Sequence, residues 1–394
     1  MTDETASETA SKAASLTTDV LIIGAGPVGM TLALALADSS LHVLLLDRQP
    51  AGSWLKDPRA LALSHGTRQL LERLNAWNAA AATAIQDIHV SQRGGFGRAQ
   101  INAADYDIPA LGYVKRYRDL LSALHARIGA DRLIAPCSVE RIDTGESHVT
   151  ATITHQGATR RIAARLVVHA EGTPQDDPGV TVRDYKQHAI VCEVRPSTAH
   201  QNRAWERFTP DGPLALLPIG SDYAVVFTVP PEKATQITAL DDREFLLALN
   251  AQFGHRLELV ATSPRASFPL ALRLRRQLTR DRQVWLGNTA QTLHPVSGQG
   301  FNLGLRDAWE LAETLLEHSQ DDPGRPEPLA AYARGRQTDR IGSAVFTDGI
   351  VRLFSNDIPP LKALRGIGLF ALDLAPPLRH FVARRMIWGA RAWL

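Results

Sequence analysis

The stretch Asp19-Val-Leu-Ile-Ile-Gly24-Ala-Gly26-Pro27-Val-Gly29 decides the fold of this chain. Its apolar run stops at a glycine, as a buried parallel strand does. Residues 27–37 are small and aliphatic and read as a helix, and Leu41–Leu46 reads as a second strand, which closes a βαβ unit. Each small residue has a task. Gly24 permits the tight turn, Gly26 lets backbone approach a pyrophosphate, and Gly29 lets the helix lie close to the strand. Pro27 suits the first helical turn, where a missing N–H costs nothing. Asp47 ends the second strand 18 residues after Gly29 and can accept hydrogen bonds from an adenosine ribose; Arg48 beside it joins the same site. Strand, helix and acid together predict a dinucleotide site. They do not separate FAD from NAD, and a glycine-rich turn in an unrelated α/β protein is the alternative.

A second stretch begins 258 residues after Gly29: Gly287-Asn288-Thr-Ala-Gln-Thr-Leu-His294-Pro295-Val-Ser-Gly298-Gln299-Gly300-Phe301-Asn302-Leu-Gly304. It follows an apolar strand, Val284–Leu286, and leads through an irregular loop into a long helix. Small residues at that junction admit an electron-rich ligand, and the helix start offers it unpaired N–H groups and the positive end of a dipole.

The 394 residues suffice for two domains, and a net charge of +2 argues against a nucleic-acid partner. Two cysteines, Cys137 and Cys192, form no disulfide framework and no metal-ligand spacing, so a reducing cytoplasm is expected and no metal site. Residues 1–17 read as a disordered tail without the apolar core of a signal peptide. No window is long and apolar enough for a membrane span. Helical stretches are expected at 66–84 and 117–129. From about 180 to 275, strand-like runs cut by Pro and Gly read as an antiparallel sheet. The expected architecture is α/β: a discontinuous Rossmann-like domain (18–70, 101–178 and 276–360), an inserted antiparallel-sheet substrate domain (71–100 and 179–275), and a helical C-terminal region (361–394).

The two glycine stretches, with Leu166-Val-Val-His-Ala-Glu171-Gly172 between them, resemble the class A flavoprotein monooxygenases, the fold of para-hydroxybenzoate hydroxylase. Arg59-Ala-Leu-Ala-Leu-Ser64, Glu206–Pro218, Gly287–Gly304 and Phe346–Asn356 resemble the ubiquinone-biosynthesis hydroxylases within that class, in particular the 2-polyprenyl-6-methoxyphenol hydroxylase branch. The resemblance runs from about residue 18 to the C-terminus. Two positions depart from the wider class: Glu171 and Asn288 each stand where it has Asp. The amide of Asn288 can still bond ribityl hydroxyls as donor and acceptor, and Gly-Asn also marks the favoured branch.

The resemblance implies FAD as cofactor, NAD(P)H as electron donor, and a flavin C4a-hydroperoxide that hydroxylates a polyprenylated methoxyphenol with O₂. A class A hydroxylase or reductase acting on another aromatic or quinone, and a non-catalytic FAD-binding subunit, remain as alternatives. It further implies that Gly298, Gln299, Gly300, Phe301 and Asn302 lie at the flavin ring edge and Gly287 and Asn288 at the ribityl chain. Pro295 would then lie between flavin and substrate. His294 reads either as the base that deprotonates the phenol or as a structural histidine. Arg59 is a flavin contact by its place in the matching segment, and Arg118 is either another or a solvated residue at a helix start. Leu214, Leu216 and Leu217 read as substrate contacts or as sheet core.

The last 34 residues are apolar and basic. Phe381, Val382, Met386, Ile387 and Trp393 read as one helical face flanked by arginines, either packed on the FAD domain or docked on a membrane. A water-insoluble substrate implies peripheral contact with the inner membrane or a biosynthetic protein complex.

Overall fold

The computed structural model describes residues 16–174, 177–318, 320–356 and 358–389. Most of the expected tail and the end of the C-terminal region, including Trp393, lie outside the described residues. Leu16 and Thr17 do not belong to a tail, because the first strand, Leu16–Ile23, already pairs from Leu16.

Two large sheets organise the chain. In the first, four neighbouring strands run parallel to their partners: Gln283–Trp285, Ala158–His169, Leu16–Ile23 and Val43–Leu46. Their registers place Trp285, His169, Ile23 and Leu46 in one row at the carboxyl edge. Helix Pro27–Ala35 covers one face together with helix Gln299–Glu317, and Leu32, Leu45, Leu166, Val284 and Leu311 are fully buried between these layers. The second sheet has nine strands and is antiparallel except where Arg203–Phe208 runs beside Asp87–Gln92. A third, three-stranded sheet joins Ala60–Ser64, Gly112–Arg116 and Ala82–Ile85.

Several local expectations are corrected. The helix expected over 66–84 spans His65–Arg73 and ends where Asn75 adopts φ 52°, a left-handed C-terminal stop; residues 82–85 are a strand. Gln291–Thr292 pairs with Ala266–Arg275, so this piece of the late segment belongs to the second sheet. The 180–275 region also carries two helices, Pro231–Ala239 and Asp242–Phe253. The second begins with a capping box between Asp241 and Glu244, a signal present in the sequence. These helices bury Ile237, Phe245, Leu249 and Phe253 against one face of the second sheet. Its other face is left to line a cavity.

Candidate active site

The aligned strand ends put three sequence motifs side by side. Gly24 follows Ile23, Asp47 follows Leu46, and Ala170-Glu171-Gly172 follows His169, while Gly287 lies two residues beyond Trp285. A cleft outside the carboxyl ends of parallel strands is where α/β sheets bind ligands. Here it has a volume of about 930 Å³, and its walls include Gly24, Gly26, Pro27, Asp47, Arg48, Arg59, Tyr117, Gly287, Asn288, Gly300 and Phe301.

The glycines shape this cleft in different ways. Gly24 has φ 104°, and a Cβ there would lie 2.5 Å from the Ala170 carbonyl. A Cβ on Gly29 would lie 2.0 Å from the Gly24 oxygen. Both are therefore required by the fold itself. At Gly26 a Cβ would meet nothing within 4 Å, so the open space beside it belongs to the cleft. Asp47 braces the turn: its carboxylate accepts from the N–H groups of Ala25 and Gln49, each at 2.7 Å. Its remaining lone pairs face the cleft wall, where a ribose would need them.

The late loop is held from beneath. Asp307 accepts the Gly287 N–H at 3.1 Å and the Gln291 amide at 2.5 Å. Arg336 reaches Asp307 at 2.8 Å and Asp339 at 3.1 Å, and Arg306 pairs with Asp339 at 2.9 Å. All four side chains are buried. Sequence reasoning missed this network; Arg306-Asp307 and Arg336–Arg340 on two helices were its only trace. Asn288, exposed at the cleft, is left to meet a ligand.

A second cavity, about 480 Å³, lies against the bare face of the second sheet. It is lined almost wholly by apolar groups, among them Val90, Leu217, Val226, Ile350, Leu369 and Met386. The turn 295–300 and the strand Ala60–Ser64 separate it from the cleft. Pro295, Gly298 and Ala62 face the apolar cavity, whereas Gly300, Phe301, Leu61 and Arg59 face the cleft. Gly298, at φ 63°, caps helix Gln299–Glu317, whose first N–H groups have no acceptor within the helix.

Several expected site residues fall elsewhere. His294 is buried, absent from both cavity walls, and its Nδ1 accepts the Val296 N–H at 3.1 Å while its ring meets Tyr185 edge-on. Burial pushes its imidazole down to about 4, so it is neutral at physiological pH. Its position favours the structural histidine over the phenol base. The Asn302 amide bonds Ser64 N–H, the Ala62 carbonyl and the Gly298 carbonyl, so its side chain clamps the turn. Gln299 is buried and donates to the Met386 carbonyl. Arg118 stands half-exposed beside Asp119 and borders neither cavity. His65 is buried, edge-on to Trp388. Leu214 and Leu216 are core, whereas Leu217 lines the cavity, because alternate residues of one strand face opposite sides. Arg59 does border the cleft, forked onto Asp57 and stacked 4.6 Å over Tyr117. Tyr117 was not anticipated. Glu171 turns toward His169 at 3.1 Å, and His169 stacks on Trp285.

The described residues hold no cluster of metal-binding side chains. Residues 17–340 match the FAD binding domain family. The chain belongs to that family. It is 34% identical over 383 residues to ubiquinone hydroxylase UbiL of Rhodospirillum rubrum, an alignment covering 93% of this chain and 88% of the relative. It is 27% identical to the 3-demethoxyubiquinol 3-hydroxylase of Escherichia coli, with 92% of this chain and 96% of that protein covered. The fold is shared with p-nitrophenol 4-monooxygenase PnpA from Pseudomonas putida DLL-E4: TM-score 0.77, 17% identity, 95% of this chain and all of that one. Family and relatives make this chain an FAD-dependent aromatic hydroxylase. The cleft fits that cofactor: backbone can approach at Gly26, ribose acceptors stand at Asp47, and Asn288 is available at the other end.

Proposed function

We propose that this chain hydroxylates a polyprenylated methoxyphenol in ubiquinone biosynthesis, with O₂ as co-substrate and NAD(P)H as the source of electrons. The observation that carries the reading is the pairing of a polar cleft with an apolar cavity across the turn 295–300 and the strand Ala60–Ser64. A hydrophobic phenol needs a dry chamber, and the cofactor needs a polar one, with reacting atoms meeting at the partition. Bound FAD supplies the redox and oxygen-activating chemistry.

The chain's own residues then have definite parts. Gly24, Gly26, Pro27 and Gly29 with Asp47, Arg48 and Arg59 hold the adenosine and pyrophosphate half. Gly287 and Asn288 hold the ribityl chain. The N–H groups that open helix Gln299–Glu317 stabilise negative charge on the flavin ring edge. Pro295 closes the substrate side, and His294 behind it positions the turn.

The cavity also has an outlet. Leu364 and Leu378 line it and are themselves exposed, and Leu364, Ile367, Phe370 and Leu374 each show more than half their surface to solvent. These residues recur at helical spacing on one side of helix Pro359–Leu374. No helix among the described residues is long and apolar enough to cross a membrane. A prenyl tail leaving the cavity would run along this stripe, which suits shallow contact with a bilayer or with a biosynthetic partner. The C-terminal face expected from the sequence divides differently. Of its described residues, Ile387 is buried, Val382 and Met386 line the cavity, and only Phe381 points outward.

Quinone profiling of a strain lacking this protein tests the reading. Accumulated polyprenyl-methoxyphenol, and labelled oxygen incorporated from O₂ when the protein is restored, are the expected results. A normal quinone profile would overturn the pathway assignment.

A further inference from the structure

One group in the apolar cavity is chemically out of place. Glu206 lies on the strand Arg203–Phe208, on the face that carries Ala204 and Phe208 into the cavity. Register sets Val90 on one side of it and Ala215 on the other, with Val226 beyond Ala215. None of these side chains can hydrogen-bond. Its Oε1 is sealed from solvent and has no partner among the described residues. Burial alone, with no neighbouring charge contributing, pushes its carboxyl up to about 7. Among the described residues, the one charged side chain on the cavity wall besides Glu206 is Arg365, which donates to the Phe354 and Asn356 carbonyls and the Asn356 side chain.

Buried polar groups in native proteins are normally satisfied, and one left bare in a ligand cavity marks where a ligand's polar atom belongs. The ligand class follows from the walls. They demand a hydrocarbon-rich molecule, and the lone acceptor demands a single donor upon it. A prenylated phenol has that pattern, because its hydroxyl is its only hydrogen-bond donor.

We propose that Glu206 receives the substrate's phenolic hydroxyl and takes its proton as the ring is hydroxylated. The inference rests on the proposed aromatic substrate. In this step the phenol O–H bond breaks, the proton moves to a Glu206 carboxylate oxygen, and the electron pair stays on the phenolate oxygen. The ring is then the richer nucleophile toward electrophilic oxygen. The proton returns to the product's oxygen before release. Anchoring the hydroxyl at the sheet also fixes which ring edge is turned to the opposite wall, where Pro295 marks the boundary with the cleft.

The test uses the FAD-loaded protein with two probes: a 2-methoxyphenol bearing a short prenyl chain, and its methyl ether, which lacks the donor. Binding is read from the flavin absorbance and hydroxylation from product formed. The wild type is expected to bind the phenol at least about 10-fold tighter than the ether, as a hydrogen bond to a charged group allows. Glu206→Leu should erase that preference. Glu206→Gln, which keeps an acceptor but no base, should hold phenol affinity within a few-fold and slow hydroxylation by about 100-fold or more. Flavin content reports folding, and Glu206→Gln decides the matter where Glu206→Leu fails to retain FAD. A Glu206→Gln protein that hydroxylates as fast as the wild type would overturn the role of Glu206 alone. A wild type that ignores both probes would overturn the substrate reading and this inference with it.

Discussion

Asp307 accepts a hydrogen bond from the backbone N–H of Gly287 at 3.1 Å, and both residues are buried. A helix in the last third of the domain thus holds the loop that presents Asn288 to the cleft. The same carboxylate pairs with Arg336, so the loop and a buried ion network stand or fall together. Asp307→Ala would leave the Arg336 charge short of a partner. The expected cost is about 3–5 kcal/mol of stability, with loss of bound FAD. Denaturant unfolding and flavin content of the purified variant check this. A protein of wild-type stability with full flavin would contradict it.

Two glycines of one motif should respond in opposite ways. Gly29→Ala forces a Cβ to 2.0 Å from the Gly24 oxygen and should destabilise the fold even without cofactor. Gly26→Ala meets open space within the protein. It should leave the apoprotein as stable as the wild type while weakening FAD binding about 10-fold or more, since the added methyl occupies the ligand's path. Thermal unfolding of apoprotein, set beside FAD titration, separates the two outcomes.

The sequence favoured Arg59 as a flavin contact and left Arg118 open, and of the two only Arg59 borders the cleft. Arg59→Ala should weaken FAD binding by about 10-fold, the scale of one charge-assisted hydrogen bond. Arg118→Ala should leave it unchanged. Equal effects in equilibrium titrations would mean that the cofactor does not run along this wall.

His294 links stability to pH. Its imidazole is held down at about 4, so between pH 6.5 and 4 the unfolded chain takes up a proton that the folded protein refuses. Stability therefore falls as pH drops through that window, by at most about 3 kcal/mol from this residue. His294→Gln should flatten that part of the profile in urea unfolding at pH 7, 5.5 and 4.5. An unchanged acid slope would show that the ring is solvated in the folded protein.

The outward apolar stripe offers a measurement independent of catalysis. Ile367→Glu with Phe370→Glu should cut sedimentation with anionic liposomes several-fold while flavin stays bound, because both side chains are exposed and outside the cavity lining. Removing residues 379–394 would be a poorer test, since Ala383 and Ile387 in that segment are buried. Liposome binding that survives the double substitution would show that this stripe is not the membrane contact.

The sequence by itself determined the cofactor half of the molecule. A dinucleotide turn is local: strand, Gly24, Gly26, Gly29 and Asp47 lie within about thirty residues, and their spacing carries the backbone geometry. The late stretch was legible for the same reason, as a strand, a loop and a helix start read in order. Only the tertiary structure decided what those local pieces face. Strand register aligned Ile23, Leu46, His169 and Trp285, and so gathered motifs more than a hundred residues apart into one cleft. The ring of His294 was turned into the interior, the amide of Asn302 became a clamp, and Leu214 and Leu217 were divided between core and cavity. The buried Asp307–Arg336 pair and the bare carboxyl of Glu206 left no local pattern, because each is defined by what surrounds it. Burial and partnership belong to the packing of distant segments, and no spacing along the chain encodes them.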